Sequence, residues 1–220
     1  MNDDYVSKLE KIISQMLTPL RDLPFGVVIQ ALSGHKVIPF DSADPEDLAL
    51  LDRLKVVANK AAVNVNKKGI RRPRPNEVGN DIEPFVEDAL NKQGFRAHTP
   101  VTSSGRRKST GYPDIEFQDA DGQIHYLECK TFNKENVNTT QRSFYLSPSD
   151  DFKVTEDAHH FVLSYEIFSD GEDGNNHVYK CAAWKLLSIS DLEVDVKYEF
   201  NSDNLRLYSK ELVLAEGTIR

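Results

Sequence analysis

The 220-residue chain predicts a fold of the α/β class, α+β-like in its order of elements, and two observations carry that reading. Apolar residues recur at helical spacing through most of the first 93 residues, and the period changes to strand-like alternation after residue 112. One hydrophobic core can serve a chain of this length, so we expect a single domain over residues 1–220 with insertions around its core.

Residues 4–18 (DYVSKLEKIISQMLT) put Val6, Leu9, Ile12, Ile13 and Met16 on one stripe, an amphipathic helix ending near Pro19. Residues 25–31 (FGVVIQA) are short and apolar and fit helix or strand, while 36–40 (KVIPF) are interrupted by proline. The next helix is better announced. Asp44 can cap it, Pro45 suits the first position, and Glu46 with Asp47 place negative charge where unpaired N–H groups point. It should run through LALLDRLKVVANKAAV and give way to NVNKKGIRRPRPNE, whose glycine and prolines imply an extended basic arm.

Residues 81–93 (DIEPFVEDALNKQ) form the third predicted helix, with Asn80 or Asp81 as cap, Pro84 in the first turn and Gly94 at the end. Residues 112–118 (YPDIEFQ) and 123–131 (QIHYLECKT), joined by the turn sequence DADG, predict an antiparallel hairpin. Further strands are expected at 161–168, 178–183, 193–200 and 205–214, with a short helix at 184–190 and loops at Pro148 and at 170–176. Cys129 and Cys181 read as buried free thiols, His159 and His160 as structural, and Trp184 as core or interface. His35 beside Ser33 has no identifiable acidic partner, which argues against a hydrolase triad.

No run of 18 apolar residues and no signal-peptide pattern is present, which leads us to expect a cytoplasmic protein without membrane association. The formal charge of -8 argues at first against nucleic acid, but its distribution does not. Residues 150–220 hold 15 acidic and 7 basic side chains and so account for the whole excess. Residues 53–76 carry eight Lys or Arg and no acid, and a polyanion responds to that local field.

In the predicted hairpin, Glu128 and Lys130 lie two apart and share a face; Asp114 opens the other strand. If Asp114 points to the same side, two carboxylates converge beside an ammonium. Burying them together is unfavourable unless a cation compensates, and a hard divalent ion such as Mg²⁺ prefers such oxygen ligands. It would hold a phosphate oxygen and a water, with Lys130 orienting that water and stabilising charge, or less readily acting as a base.

The stretch GYPDIEFQDADGQIHYLECKTF resembles the signature of the PD-(D/E)XK nuclease superfamily, with Pro113-Asp114 followed by Glu128-Cys129-Lys130. The resemblance covers about residues 79–132. It implies a restriction-endonuclease-like mixed sheet flanked by helices, and Mg²⁺-dependent hydrolysis leaving 5′-phosphate and 3′-hydroxyl ends. Many members carry a further glutamate on the helix before the hairpin, and GNDIEPFVEDAL resembles that helix. Glu83 is the candidate, Glu77 and Glu87 are the alternatives, and Glu116 is a candidate for the metal shell. The chain as a whole looks most like a small type II restriction endonuclease, which implies double-stranded DNA as substrate, a homodimer, and a separately acting cognate methyltransferase. Two rivals are a repair or junction endonuclease of the same superfamily and a non-catalytic DNA-binding protein with a nuclease-like fold. A pure binder gains little from keeping two repelling carboxylates.

Three segments are candidate DNA contacts. Lys67, Lys68, Arg71, Arg72 and Arg74 of the basic arm suit phosphates or the minor groove. Arg106, Arg107 and Lys108 lie in TSSGRRKST, read as a flexible loop that orders on DNA, and Asn138, Thr140, Gln141 and Arg142 follow Lys130 with the donors and acceptors of base reading.

Overall fold

The computed structural model describes residues 3–16, 18, 20–135, 137–140, 142–197, 203–207, 209 and 212. They fall into two units. The smaller comprises residues 1–23 and 194–220; the larger comprises residues 24–193.

In the smaller unit, helix α1 (Asp3–Met16) occupies the predicted span. Strands β1 (Leu20–Pro24) and β8 (Glu193–Val196) form a two-stranded sheet, in which the Asp22 N–H donates to Asp195 Oδ1 at 3.0 Å. Helix α5 (Asn204–Leu207) stands where the sequence predicted a strand starting at 205; half of that predicted strand, and residues 198–200 of the preceding one, lie outside the described residues.

The larger unit opens with α2 (Phe25–Ser33), which resolves the ambiguity of FGVVIQA in favour of helix. Helix α3 (Pro45–Lys68) is capped by Asp44, whose carboxylate accepts the Glu46 N–H at 2.8 Å, with proline and acids in the first turn as expected. It runs five residues further than the sequence suggested. Val65 is buried and keeps the apolar stripe in step, Asn66 grips the Cys181 backbone through both its amide atoms, and Gly69 ends the helix. Gly69 has φ +69°, and a Cβ there would meet Val178 Cγ1 at 2.7 Å. Gly69→Ala is therefore expected to destabilise the protein by about 1–3 kcal/mol, read as a lowered midpoint in urea unfolding. An unchanged midpoint would show that the turn relaxes.

Behind Gly69 the expected free arm is absent. Ile70–Arg72 form β2, an edge strand antiparallel to β7 (Asn176–Ser188), because Ile70 belongs to the core and pulls the chain onto the sheet. A 3₁₀ turn, Pro75–Glu77, leads straight into α4 (Gly79–Lys92). Val78, not Asn80 or Asp81, stands at the cap; Asp81 instead receives Arg72 at 2.7 Å.

Strands β3 (Arg96–His98), β4 (Ile115–Gln118), β5 (Ile124–Phe132) and β6 (His159–Asp173) complete a six-stranded sheet of order β2-β7-β6-β5-β4-β3. Every neighbouring pair is antiparallel except β5 and β6, which run parallel across the long connection 133–158. The sheet is therefore mixed and is flanked by helices, as expected of a restriction-endonuclease-like α/β fold. The β4–β5 hairpin forms as predicted, although β4 begins at Ile115 rather than at Tyr112. Its second strand is central and buried on both faces through residues 125–129, rather than half exposed.

Two other expectations fail. The predicted helix at 184–190 is the continuation of β7, because Trp184 and Leu186 align with Tyr165 and Leu163 of β6 and pack against the core. Ladder pairing outweighs local preference there. The expected loop at 170–176 narrows to a turn, with β6 running to Asp173 and β7 starting at Asn176.

The core lies between α3, α4 and the sheet, built on Leu54, Val57, Ala61, Ile82, Val86, Leu90, Ile115, Phe117, Leu127 and Leu163. Leu127 and Cys129 of β5 point into it, so Tyr126, Glu128 and Lys130 present the other face. There Tyr126, Tyr112, Phe25 and His160 make ring contacts at 5.0–5.9 Å. Both adjacent histidines have structural partners, His160 with the Tyr112 hydroxyl and His159 with Asp47 and the Ile38 carbonyl. Cys129 and Cys181 are buried free thiols. His35 does have an acidic neighbour, Asp157 at 3.5 Å, brought from 122 positions away by the fold. Ser33 Oγ donates to the Ile29 carbonyl and accepts the His35 backbone N–H, so the ring does not activate it.

Candidate active site

The β4–β5 ladder decides where the polar residues meet. Ile115 stands opposite Leu127, so Asp114, one step earlier, comes opposite Glu128. Its Oδ2 accepts the Cys129 N–H at 2.8 Å, which anchors the carboxylate across the strand pair. Glu128 is 4% exposed, and its Oε1 accepts from Lys130 Nζ at 2.6 Å. Its Oε2 is buried with no hydrogen-bond partner. The Asp114 and Glu128 carboxyls are close enough to hydrogen-bond when one of them holds a proton.

Glu83 reaches the same cluster from the first turns of α4. Burial, then the charges of Asp114 and Glu128, push its carboxyl up to about 7. Glu128 is likewise pushed up to about 7, by burial first and Asp114 second, against the pull of Lys130. Asp114 is raised by burial, with the Cys129 N–H and Lys130 opposing. Burial works to lower Lys130, but the Glu128 carboxylate outweighs it and holds the ammonium above its ordinary value. Three carboxyls thus compete for too little positive charge. Among the described residues no three His, Cys, Asp or Glu side chains form a ready-made metal cage. Asp114 and Glu128 with the orphaned Oε2 still fit a hard cation that keeps several waters, as Mg²⁺ does.

One participant was not foreseen. Lys153 is 3% exposed, and its Nζ donates to the Gly111 and Pro113 carbonyls at 2.6 and 2.7 Å, within the field of Asp114, Glu128 and Glu83. A lone lysine in the acidic run SDDFKVTED carries no motif. The only hint is its place between apolar Phe152 and Val154, where a charge needs buried partners.

Other candidates are placed elsewhere. Glu116 lies 3.8 Å from His98 on the neighbouring strand; burial raises its carboxyl, His98 opposes that rise and the like charge of Glu156 adds to it. Glu77 is engaged by Arg74, so of the three glutamates weighed around α4 it is Glu83 that feels Asp114 and Glu128. Arg71 pairs with Asp173 at 2.6 Å, Arg72 with Asp81 and Arg74 with Glu77. Lys67 and Lys68 end α3, with Lys68 over the Phe85 ring. The 102–108 loop is tied down rather than loose. Asp151 accepts from Ser104 N and Oγ and from Ser103, and lies 3.6 Å from Arg106, while the Ser103 N–H donates to the Phe152 carbonyl. Desolvation pushes the Asp151 carboxyl up, but hydrogen bonding with Thr102, Ser104 and Ser103 outweighs it and holds the group down at about 2. Arg107 is exposed and Lys108 lines a cavity of about 320 Å³ with Lys153, Thr110 and Tyr112. Asn138 and Thr140 are exposed, Arg142 lies 4.5 Å over the Tyr145 ring, and Gln141 is outside the described residues.

A family model described as the type II restriction enzyme MjaV family matches residues 19–211. The chain belongs to that family. A curated relative named Type II restriction enzyme MjaV, from Methanocaldococcus jannaschii, is 39% identical over 231 aligned positions covering 98% of each chain. No solved structure matches. Membership in the MjaV family makes the chain a type II restriction endonuclease, a site-specific deoxyribonuclease. It sets aside the junction nuclease and the non-catalytic binding protein as rivals.

Proposed function

We propose that the chain is a PD-(D/E)XK enzyme that hydrolyses phosphodiester bonds of double-stranded DNA with Mg²⁺, leaving 5′-phosphate and 3′-hydroxyl ends. The observation that carries this reading is the convergence of Asp114 with Glu128, whose second carboxylate oxygen is buried and unpaired beside Lys130. Asp114 and Glu128 would hold the metal. When bound, Mg²⁺ supplies charge for the scissile phosphate and a lowered pKa for the attacking water. Lys130 keeps its proton beside Glu128 and is suited to orient the nucleophile and stabilise negative charge rather than to act as base. Glu83, held near 7, is poised to exchange a proton at neutral pH.

Lys67, Lys68, Arg107 and Lys108 supply backbone contacts, and the paired Arg71, Arg72, Arg74 and Arg106 join them by exchanging exposed carboxylates for phosphates. Asn138, Thr140, Gln141 and Arg142 read bases. The enzyme acts as a homodimer, each subunit cutting one strand, in a cytoplasm where a separate methyltransferase protects the host sites. No helix among the described residues is long and apolar enough to cross a membrane.

The test is incubation of the purified protein with several long, unmodified, sequenced DNAs, in Mg²⁺ or in EDTA, followed by sequencing of the product ends. Discrete fragments formed only with Mg²⁺, sharing one short sequence and carrying ligatable 5′-phosphates, are expected. Cleavage that persists in EDTA, or ends with a 3′-phosphate, would overturn the proposed chemistry.

A further inference from the structure

Lys153 stands out among the described residues because a buried ammonium is used on backbone carbonyls while three carboxyls lie within its field. Its two acceptors, Gly111 and Pro113, bracket Tyr112 and lead directly into Asp114. An ammonium has three donors and no acceptor, so two carbonyls closed on one Nζ fix that stretch of backbone relative to residue 153. Asp114 is then held from both ends, by the Lys153 clamp before it and by the Cys129 N–H on its carboxylate. The segment that delivers Lys153 is itself fastened to the basic loop. Asp151 takes Ser103 and Ser104, and the Phe152 carbonyl takes the Ser103 N–H. Hydrogen bonds at both ends of the 151–153 segment therefore tie the 102–108 loop to the Gly111 and Pro113 carbonyls, immediately before Asp114.

We infer that Lys153 is a positioning residue of the nuclease centre: it sets Asp114 opposite Glu128 and links that alignment to the basic loop. The inference rests on the proposed reading of Asp114, Glu128 and Lys130 as the catalytic set. Burial pulls the Lys153 ammonium down, but Asp114, Glu128 and Glu83 pull it back up, and its charge in turn offsets the repulsion between the two carboxylates before a divalent ion arrives. Neither effect requires contact with DNA. Both act on metal affinity and on turnover, and leave DNA affinity alone.

The test compares Lys153→Met, which keeps the apolar stem and removes the donors, with wild type and with Asp114→Asn. Circular dichroism checks folding, Mn²⁺ titration followed by water proton relaxation reads the metal site, and cleavage kinetics separate kcat from KM. For Lys153→Met we expect Mn²⁺ affinity and kcat each lowered by about 10–100-fold, the range for outer residues that orient metal ligands, with KM within about twofold of wild type. Lys153→Arg, which retains charge and donors, should recover part of both. A folded Lys153→Met with wild-type Mn²⁺ affinity would overturn the inference even if its activity fell. Should Lys153→Met not fold, Lys153→Gln is read in the same way, and failure of both to fold would assign Lys153 to the fold and overturn its role in the centre. Cleavage by Asp114→Asn at the wild-type rate would instead sink the catalytic set itself, a separate outcome.

Discussion

Asp114→Ala is expected to abolish cleavage, lowering the rate by about 10³-fold or more, while binding of the cognate duplex stays within a few-fold. The substitution removes one of the two oxygen donors that face each other across the β4–β5 ladder and leaves the basic surfaces untouched. It also strips the Cys129 N–H of its acceptor, at about 1–3 kcal/mol of stability. Asp114→Asn keeps an acceptor there, and so separates lost chemistry from lost folding. Lys130→Ala should silence cleavage to a similar degree and also weaken the fold by about 1–3 kcal/mol, because Glu128 Oε1 loses the Lys130 donor in a nearly closed site. Normal rates from either purified variant would remove these residues from the reaction.

Removal of the metal is expected to expose the strain in the carboxyl cluster as a dependence of stability on pH. Glu128 has a folded pKa of about 7 against an ordinary value of 4.5, so the folded state binds its proton more tightly than the unfolded chain does. Its stabilising contribution is complete below about pH 4.5 and is lost as pH rises through about 7. At pH 8 in EDTA the ionised carboxylate costs about 3 kcal/mol relative to a neutral side chain. The buried rings of His125 and His160, pressed down to about 4 and 3 by desolvation, work in the opposite sense. They bring stability that is present above about 6.5 and lost as pH falls. Subtraction of a Glu128→Gln variant isolates the carboxylate. In EDTA, wild type should lose about 2–3 kcal/mol relative to that variant between pH 5 and pH 8, followed by urea unfolding, and Mg²⁺ should recover part of it at pH 8 and little at pH 5. Parallel curves for the two proteins would mean that Glu128 titrates normally.

What could be read from the chain depended on whether the signal was local. The Asp44-Pro45-Glu46 start of α3, the DADG turn and the alternation around Glu128 are short-range patterns, and each is found where the sequence put it. The continuation of β7 through Ser188 and the docking of Ile70–Arg72 on the sheet depend on partners about 20 and 100 positions away. No periodicity within those segments records such partners. The same division holds in the site. Asp114, Glu128 and Lys130 are joined by a hairpin and were legible as a group, whereas Lys153 is delivered by the crossover between parallel strands. Glu116 shows the limit of the alternation rule. It shares a parity with Asp114, but the neighbouring strand offers it His98.

The parallel partner on one side of β5 and the antiparallel partner on the other leave that strand no freedom to slide. Displacement by one residue would carry Cys129 to the opposite face, among the carboxyls and aromatic rings, and drive Glu128 and Lys130 into the apolar layer beneath α3 and α4. An added residue in the Asp119–Gly122 turn can be absorbed as a longer loop, since it lies outside both ladders, whereas one added between Ile124 and Lys130 inverts every side chain beyond it. Strand β5 is thus free to vary in composition at its apolar positions but not in length, and divergence among enzymes built this way should collect insertions at the hairpin tip and along 133–158.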